Sequence, residues 1–267
     1  WPWVANISES MAQERSAPPP ANEIVTIQIL ICVPSLKRLL FSEFNKDMKI
    51  LLVGEYSRLH NSLKGGLLAL GHSVTLISMG DFFKKYPSDI LLDRKYDQGL
   101  AVKLKIGIFK LSGIDITSNS IRSQFFKHQD QLKGFDVVQL INESPFAIQP
   151  KIELELISFL KKNNDKLFLL SCGTDYLSVQ YALGEALPYS ILSEYKSGKI
   201  AEDKFQYILK YARPEFKKLH HHVFDLIRGV IASDIDYHLP LEGHPKYLGL
   251  IPNPVNTDNL KLLPVDY

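Results

Sequence analysis

The sequence predicts an α/β protein built on a doubly wound parallel sheet, and three observations lead there. From Met48 onward, apolar runs of strand length alternate with amphipathic stretches of helix length, the sequence form of βαβ units. The runs are continuous, as in KILLVGE (49–55) and KLFLLS (166–171), which suits strands covered on both faces by helices. Glycine and proline punctuate the segment ends, Gly71 after the first helix and Pro145 and Pro150 after the middle strand, as helix exits and loops require.

KILLVGE is the first strand. Leu63, Leu67, Leu68 and Leu70 then recur at helical spacing over 62–70, Gly71 closes the helix, and VTLIS (74–78) returns as a strand. KLKIGIFKLS (103–112) reads as either a strand or an amphipathic segment, and 117–133 as a polar helix that passes through Gly134 into FDVVQLI (135–141). KIELELISFLKK (151–162) is a helix, KLFLLS a strand and CGTDY (172–176) the turn at its carboxyl end. In LKYARPEFKKLHHHVFDLIRG, Pro214 starts or kinks a helix. GVIAS (229–233) and YLGLIPNPVN (247–256) supply the last strands, so about six strands and at least as many helices make one doubly wound domain.

Residues 1–47 mix a proline cluster, a short apolar run and a basic-aromatic stretch without coherent period. They read as an irregular N-terminal extension, on one reading not native to the domain, which starts at Met48. The composition is that of an ordinary globular chain of 267 residues, 45% hydrophobic and 22% charged. A net charge of +2 gives no electrostatic footprint for nucleic acid. Cys32 and Cys172 lie far apart without CxxC spacing, so neither a disulfide framework nor a zinc site is indicated, and a reducing, cytoplasmic setting is expected. The longest apolar run, 24–36, carries Gln28 and is broken by Pro34, too short to span a bilayer. The stretch after Met11 holds acidic residues and prolines where a signal peptide needs a basic start and an apolar run.

In such sheets ligands gather at the carboxyl ends of strands, which directs attention to GEYSRLHNSLKGG, INESPFAIQP, SCGTDY and ASDIDYH. The first contains Gly54 but neither GxGxxG nor a Walker sequence, and VTLIS ends in Ser78, with Asp81 three residues later, where a ribose-binding acid is wanted. A nicotinamide-dependent oxidoreductase is thereby disfavoured. Gly173 and Asp175 read equally as a polar ligand site and as a left-handed turn followed by a helix cap. His60 and Asn61 sit where they reach a polar acceptor, although Asn61 also suits a helix N-cap. His220, His221 and His222 point about 100° apart on a helix and cannot converge on one metal ion. Cys172 reads as a small packed thiol.

Three stretches taken together resemble one family. MKILLVGEYSRLHNSLKGGLLALGHSVTLIS, GFDVVQLINESPF and GVIASDIDYHLPLEGHPKYLGLIPNPVN are similar to the amino-terminal half of GT-B glycosyltransferases of the retaining "glycosyl transferases group 1" type. The likeness covers most of 48–258 and rests on the glycine loop with its LxxLGHxV exit (67–74), the DVV strand (136–138) and IPNPVN (251–256). It implies two facing Rossmann-like domains, 48–256 being the acceptor-side one and 257–267 the start of an interdomain linker, with the donor's nucleotide held in a second domain. The expected reaction is retaining transfer from a nucleotide sugar, the donor being a substrate and no cofactor or metal being needed, to a glycan or lipid-linked acceptor in cell-surface polysaccharide synthesis.

The chain departs from the family in one place: the His often found after the DVV strand falls on Ile141 or Asn142 here, so no catalytic residue is assigned. The expected acceptor-binding residues are Gly54, Glu55, His60, Asn61, Asn142, Glu143, Gly173 and Asp175. The alternative is a stand-alone Rossmann-like ligand-binding module without catalytic activity. A peripheral membrane contact is a further expectation, because Lys84, Lys85, Lys103, Lys105 and Lys110 lie near KIGIFKL, although a solvated face is the commoner meaning of such a pattern.

Overall fold

In the computed structural model, which describes residues 47–96 and 99–255, β1 (Lys49–Val53) lies in the interior of a seven-stranded sheet. The other strands are β2 (Ser73–Ser78), β3 (Ile90–Leu91), β4 (Val137–Leu140), β5 (Lys166–Ser171), β6 (Gly229–Ala232) and β7 (Tyr247–Leu250). Their order is β3-β2-β1-β4-β5-β6-β7, and all pairs are parallel. Ile50–Val53 faces Val74–Ile77 on one side and Val137–Leu140 on the other. Strand order therefore reverses between β1 and β4, the switch point at which such sheets open a crevice.

β1 shows why its run had to be continuous. Leu51 and Val53 enter one core with Val138, Leu140, Phe125, Leu156 and Leu160, whereas Ile50 and Leu52 enter another with Leu59, Leu63 and Leu67. Successive side chains alternate across the sheet, so a strand covered on both faces is apolar throughout. One cover is α1 (Leu59–Ala69). The opposite face carries α3 (Ile116–Lys127), α4 (Pro150–Asn163) and α8 (Pro214–Leu226). On that side Phe125 meets Phe126, Phe146 and Phe159 edge-on at 5.5–5.8 Å, the arrangement that the ring quadrupole favours. The fold is thus Rossmann-like and doubly wound.

Most segments fall where the sequence puts them, and the differences have physical reasons. α1 begins at Leu59, three residues early, because the carboxylate of Glu55, outside the helix, caps it. KLKIGIFKLS belongs to a helix, α2 (Leu100–Ser112); Leu, Lys and Ala favour helix, and the segment follows the edge strand and packs on α3. The seventh strand, β3, has two residues and no readable period. Pro214 starts α8 at its first turn, where its missing N–H is harmless. Between β5 and α8 lie α5 (Tyr176–Leu183), α6 (Ser193–Lys196) and α7 (Gln206–Leu209); α9 (Ile235–His238) follows β6. Of the expected extension over 1–47 only Asp47 is described, and the expected linker over 257–267 lies outside the described residues. Among those described, no helix is long and apolar enough to cross a membrane.

Candidate functional site: the crevice at the strand switch

β1 delivers the chain to Gly54, whose φ is +87° and whose N–H donates to the Ile77 carbonyl at 2.8 Å. A Cβ added there would sit 2.4 Å from Ile141 Cγ2 and 3.0 Å from the Pro145 carbonyl oxygen. The glycine therefore serves the close approach of the loops after β1 and β4.

Glu55 follows, 3% exposed. Its Oε2 accepts the Asn61 backbone N–H at 2.9 Å and the Asn61 Nδ2–H at 2.6 Å. The amino-terminus of α1 is the place where Rossmann-type nucleotide binders hold phosphate. Here a carboxylate of the chain itself occupies that place. Burial raises the Glu55 carboxyl above its ordinary value, opposed by the Asn61 bonds. Its Oε1 is buried and has no partner among the described residues. Asn61 is accordingly a donor to Glu55 in the first turn and not the N-cap of α1; the N-cap is Arg58, which makes no side-chain cap bond.

The expectation that set His60 against a ligand meets a ring that is wholly buried. Nδ1 lies 2.8 Å from the Gly54 carbonyl and Nε2 3.2 Å from Gln139 Nε2. These partners assign the tautomer: Nδ1–H donates and Nε2 accepts. Burial lowers the ring to about 4, so it is neutral at pH 7. His60 supports the floor of the crevice from beneath.

Asn142 and Glu143 are 2% and 4% exposed. Asn142 donates through Nδ2 to the Cys172 carbonyl at 2.8 Å and accepts the Ser144 N–H at 2.9 Å, tying the loops after β4 and β5 together. Glu143 Oε1 lies 2.6 Å from His220 Nδ1. Burial pushes the carboxyl well above its usual range, with Asp175 adding to the effect, and pulls the imidazole down to about 4. Burial opposes charge on both groups of this pair. The other histidines of that run diverge: His221 is exposed and His222 meets Ser158 at 3.1 Å.

Gly173 takes φ +79°, and Asp175 caps α5 in a capping box, Oδ1 accepting the Ser178 N–H at 2.7 Å and Oδ2 the Ser171 hydroxyl at 2.9 Å. Of the two meanings open to this pair, the left-handed turn and the cap describe it. Burial raises the Cys172 thiol, which keeps it protonated and unreactive.

Clefts lined by the described residues open at this end of the sheet. One, of about 950 Å³, lies toward β2 and β3 and is lined by Glu55, Tyr56, Asp81, Arg94, Tyr96 and Pro145 among others. The second, of about 660 Å³, lies toward β5–β7, with Ser57, Gly173, Ser233, Asp234, Tyr237 and Asn253. Tyr56 lines both, and its hydroxyl donates to the Ser144 carbonyl at 3.4 Å. Gly54, Asn142, Glu143 and Asp175 stand behind these walls, whereas Glu55 and Gly173 reach them. Sequence reading did not single out Tyr56, Arg94 and Tyr237. Tyr56 and Tyr237 lie inside quoted loops, and aromatic rings at strand ends were the signal to follow. Asp81, three residues past the place where a ribose-binding acid is wanted, accepts the Ser57 N–H at 2.8 Å and the Lys84 ammonium at 2.8 Å, joining the loops after β1 and β2.

The walls combine phenols, hydroxyls, carboxyls and an amide with the cationic side chains of Arg58, Lys85, Arg94 and Lys95, a mixture able to hydrogen-bond and stack on polyhydroxyl ligands and to meet negative charge as well. Among the described residues no group of three His, Cys, Asp or Glu side chains is placed to hold a metal ion. No protein-family model matches the chain, and no curated protein or solved structure matches it, so its function must be argued from this crevice and the fold that builds it.

Proposed function

We propose that this domain is the acceptor-side half of a GT-B glycosyltransferase, binding a glycan or lipid-linked acceptor in the larger cleft while a second domain holds the nucleotide-sugar donor. One observation carries this reading. Glu55 fills the phosphate position at the head of α1 with one oxygen, and its other oxygen is buried without a partner among the described residues, in a side chain that lines the cleft. A nucleotide phosphate would meet a carboxylate there, but a sugar hydroxyl supplies the donor that Oε1 lacks. Because a buried unpaired oxygen is costly, the ligand hydroxyl gains more there than it would at an exposed group. The chemistry left to this domain is orientation: it presents one hydroxyl of the acceptor toward the donor and keeps water from the crevice.

Saturation-transfer NMR and calorimetry with a panel of oligosaccharides test this reading. The wild-type chain is expected to bind at least one of them, and Glu55→Gln to weaken that binding about 10- to 100-fold, the range for a hydrogen bond to a charged group. Tight binding of a nucleotide or nicotinamide dinucleotide that Glu55→Gln leaves unchanged would refute the assignment. The 267 residues alone are expected to transfer no sugar, and robust transfer from a nucleotide sugar would overturn the division of labour between two domains.

A further inference from the structure

α2 is unlike the other long helices. α4 buries Ile152, Glu153, Leu156, Ile157 and Leu160, and α1, α3 and α8 each bury four residues. None of the described side chains of α2 is buried, although its sequence, LAVKLKIGIFKLS, is mostly apolar. Leu104 is 63% exposed and Leu111 91%, and Ile106, Phe109 and the following Ile114 are about half exposed. A single exposed leucine needs no explanation, but a helix that leaves large apolar side chains exposed all round it, Leu104 and Leu111 on one side and Ile106 and Phe109 on the other, does.

The arrangement of this surface narrows what covers it. Leu104 and Leu111 are seven residues apart and share a stripe; Lys103 and Lys110, both exposed, form a second one that flanks it about 100° round the helix. The helix contains no acidic residue. A second copy of this chain packed helix to helix would bring the same lysines toward themselves, with no acidic residue on the helix to pair them. An anionic bilayer satisfies both stripes: the leucines enter the acyl boundary and the lysines reach the lipid phosphates along their flexible stems. The surface also continues into the larger cleft, whose lining includes Ala101 of α2, Tyr96 and the 85% exposed Phe83.

We propose that α2, with Phe83 and Tyr96, docks this domain peripherally on a bilayer containing anionic lipid, with the mouth of the larger cleft beside the membrane. Docking does not depend on the glycosyltransferase reading; only the corollary, that the cleft receives the head of a lipid-linked acceptor, rests on it.

Cosedimentation of the 267-residue chain with vesicles tests the docking. Vesicles of phosphatidylcholine containing about one-third phosphatidylglycerol should retain the protein, and pure phosphatidylcholine should retain much less. Lys103→Gln with Lys110→Gln should lower binding to the anionic vesicles about 25-fold, about fivefold for each charge. Leu104→Ser with Leu111→Ser should lower it more than about tenfold through lost apolar contact. Circular dichroism checks that these surface variants remain folded. Equal retention by the two vesicle types, retention by neither, or indifference to both pairs of substitutions would overturn the proposal. So would a dimer in sedimentation velocity that the leucine substitutions dissolve, because it would identify a second copy as the occupant. Saccharide binding measured without lipid on the same protein separates failure of docking from failure of the acceptor reading.

Discussion

The loop after β1 (54–58) and the loop after β4 (141–149) face each other across the switch point, yet they differ in backbone, burial and bonding. In the second, residues 141–146 are all buried. Glu153 Oε1, from α4, accepts the Ser144 hydroxyl at 2.7 Å and the N–H groups of Phe146 and Ile148 at 3.2 Å. Phe146 is set into the aromatic cluster, and the loop's one strained residue, Ala147 at φ +45°, has its carbonyl held by Arg94 at 3.1 Å. The first loop carries two consecutive left-handed residues, Ser57 at φ +50° and Arg58 at +68°, both exposed. It also carries Glu55, which lines the larger cleft and whose buried Oε1 has no partner among the described residues. Each loop thus has left-handed backbone and a carboxyl oxygen without a partner among the described residues, Glu55 Oε1 in the first and Oε2 of the anchoring Glu153 in the second. The difference is that the second loop is buried and tied by many bonds, whereas the left-handed pair of the first is exposed beside the clefts, as expected of a site carried on a rigid frame.

Removing the contact between the loops should have the largest effect. In Gly54→Ala the new methyl would meet Ile141 and Pro145 while the backbone stayed left-handed. Overpacking and backbone strain together are expected to cost about 4 kcal/mol, read as a lowered urea midpoint. A shift within about 0.5 kcal/mol would mean that the second loop yields easily and the contrast in rigidity is wrong.

The second loop can be examined through the proton on its anchor. Glu153 Oε2 is buried without a partner among the described residues, and burial pushes the carboxyl up to about 7, opposed by its bonds to Ser144, Ile148 and Phe146. A folded-state value above the ordinary 4.5 means a contribution to stability that is present below about pH 4.5 and lost as pH rises through about 7. His60, lowered to about 4 from 6.5, acts in the opposite sense: its contribution is present above about pH 6.5 and lost as pH falls through about 4. The two slopes offset each other in the wild-type protein. Glu153→Gln removes one of them, so relative to wild type it should gain up to about 3 kcal/mol between pH 4.5 and 8, at about 1.4 kcal/mol per pKa unit. Parallel curves for the two proteins would show that Glu153 is not buried as described.

Much of the fold was legible because burial on both faces leaves a direct trace in the chain: KLFLLS coincides with β5, Lys166–Ser171. The cap at Asp175 was legible as well, since its partner Ser178 stands three residues away. The site was less so. Glu55 near Asn61 and Glu143 beside Asn142 look alike in sequence, but one is completed by a residue six positions on and the other by His220, 77 positions on. Only the fold brings that histidine to Glu143. The environment of His60 was misread for a related reason: a ring six residues after the glycine belongs to the first turn of α1, which turns it under the sheet end toward Gln139 of β4. No local pattern marks that direction.

The smallest expected effect tests whether strain in the first loop serves binding. At φ +50°, Ser57 adopts a conformation that glycine enters without penalty. Ser57→Gly should relieve about 1 kcal/mol of strain, offset in part because glycine gains more freedom in the unfolded chain. It also loses the 2.9 Å contact from the Lys84 ammonium to the Ser57 hydroxyl, an exposed bond of little net value, while the backbone bond to Asp81 persists. Stability should therefore change little or rise slightly. Saccharide affinity is the discriminating quantity: a loop held in place by its strained residues loses preorganisation when one is relaxed, so affinity should fall several-fold although Glu55 is untouched. If affinity is unchanged, the left-handed pair at Ser57 and Arg58 serves only to start α1, and the functional difference between the loops reduces to Glu55, which lines the larger cleft.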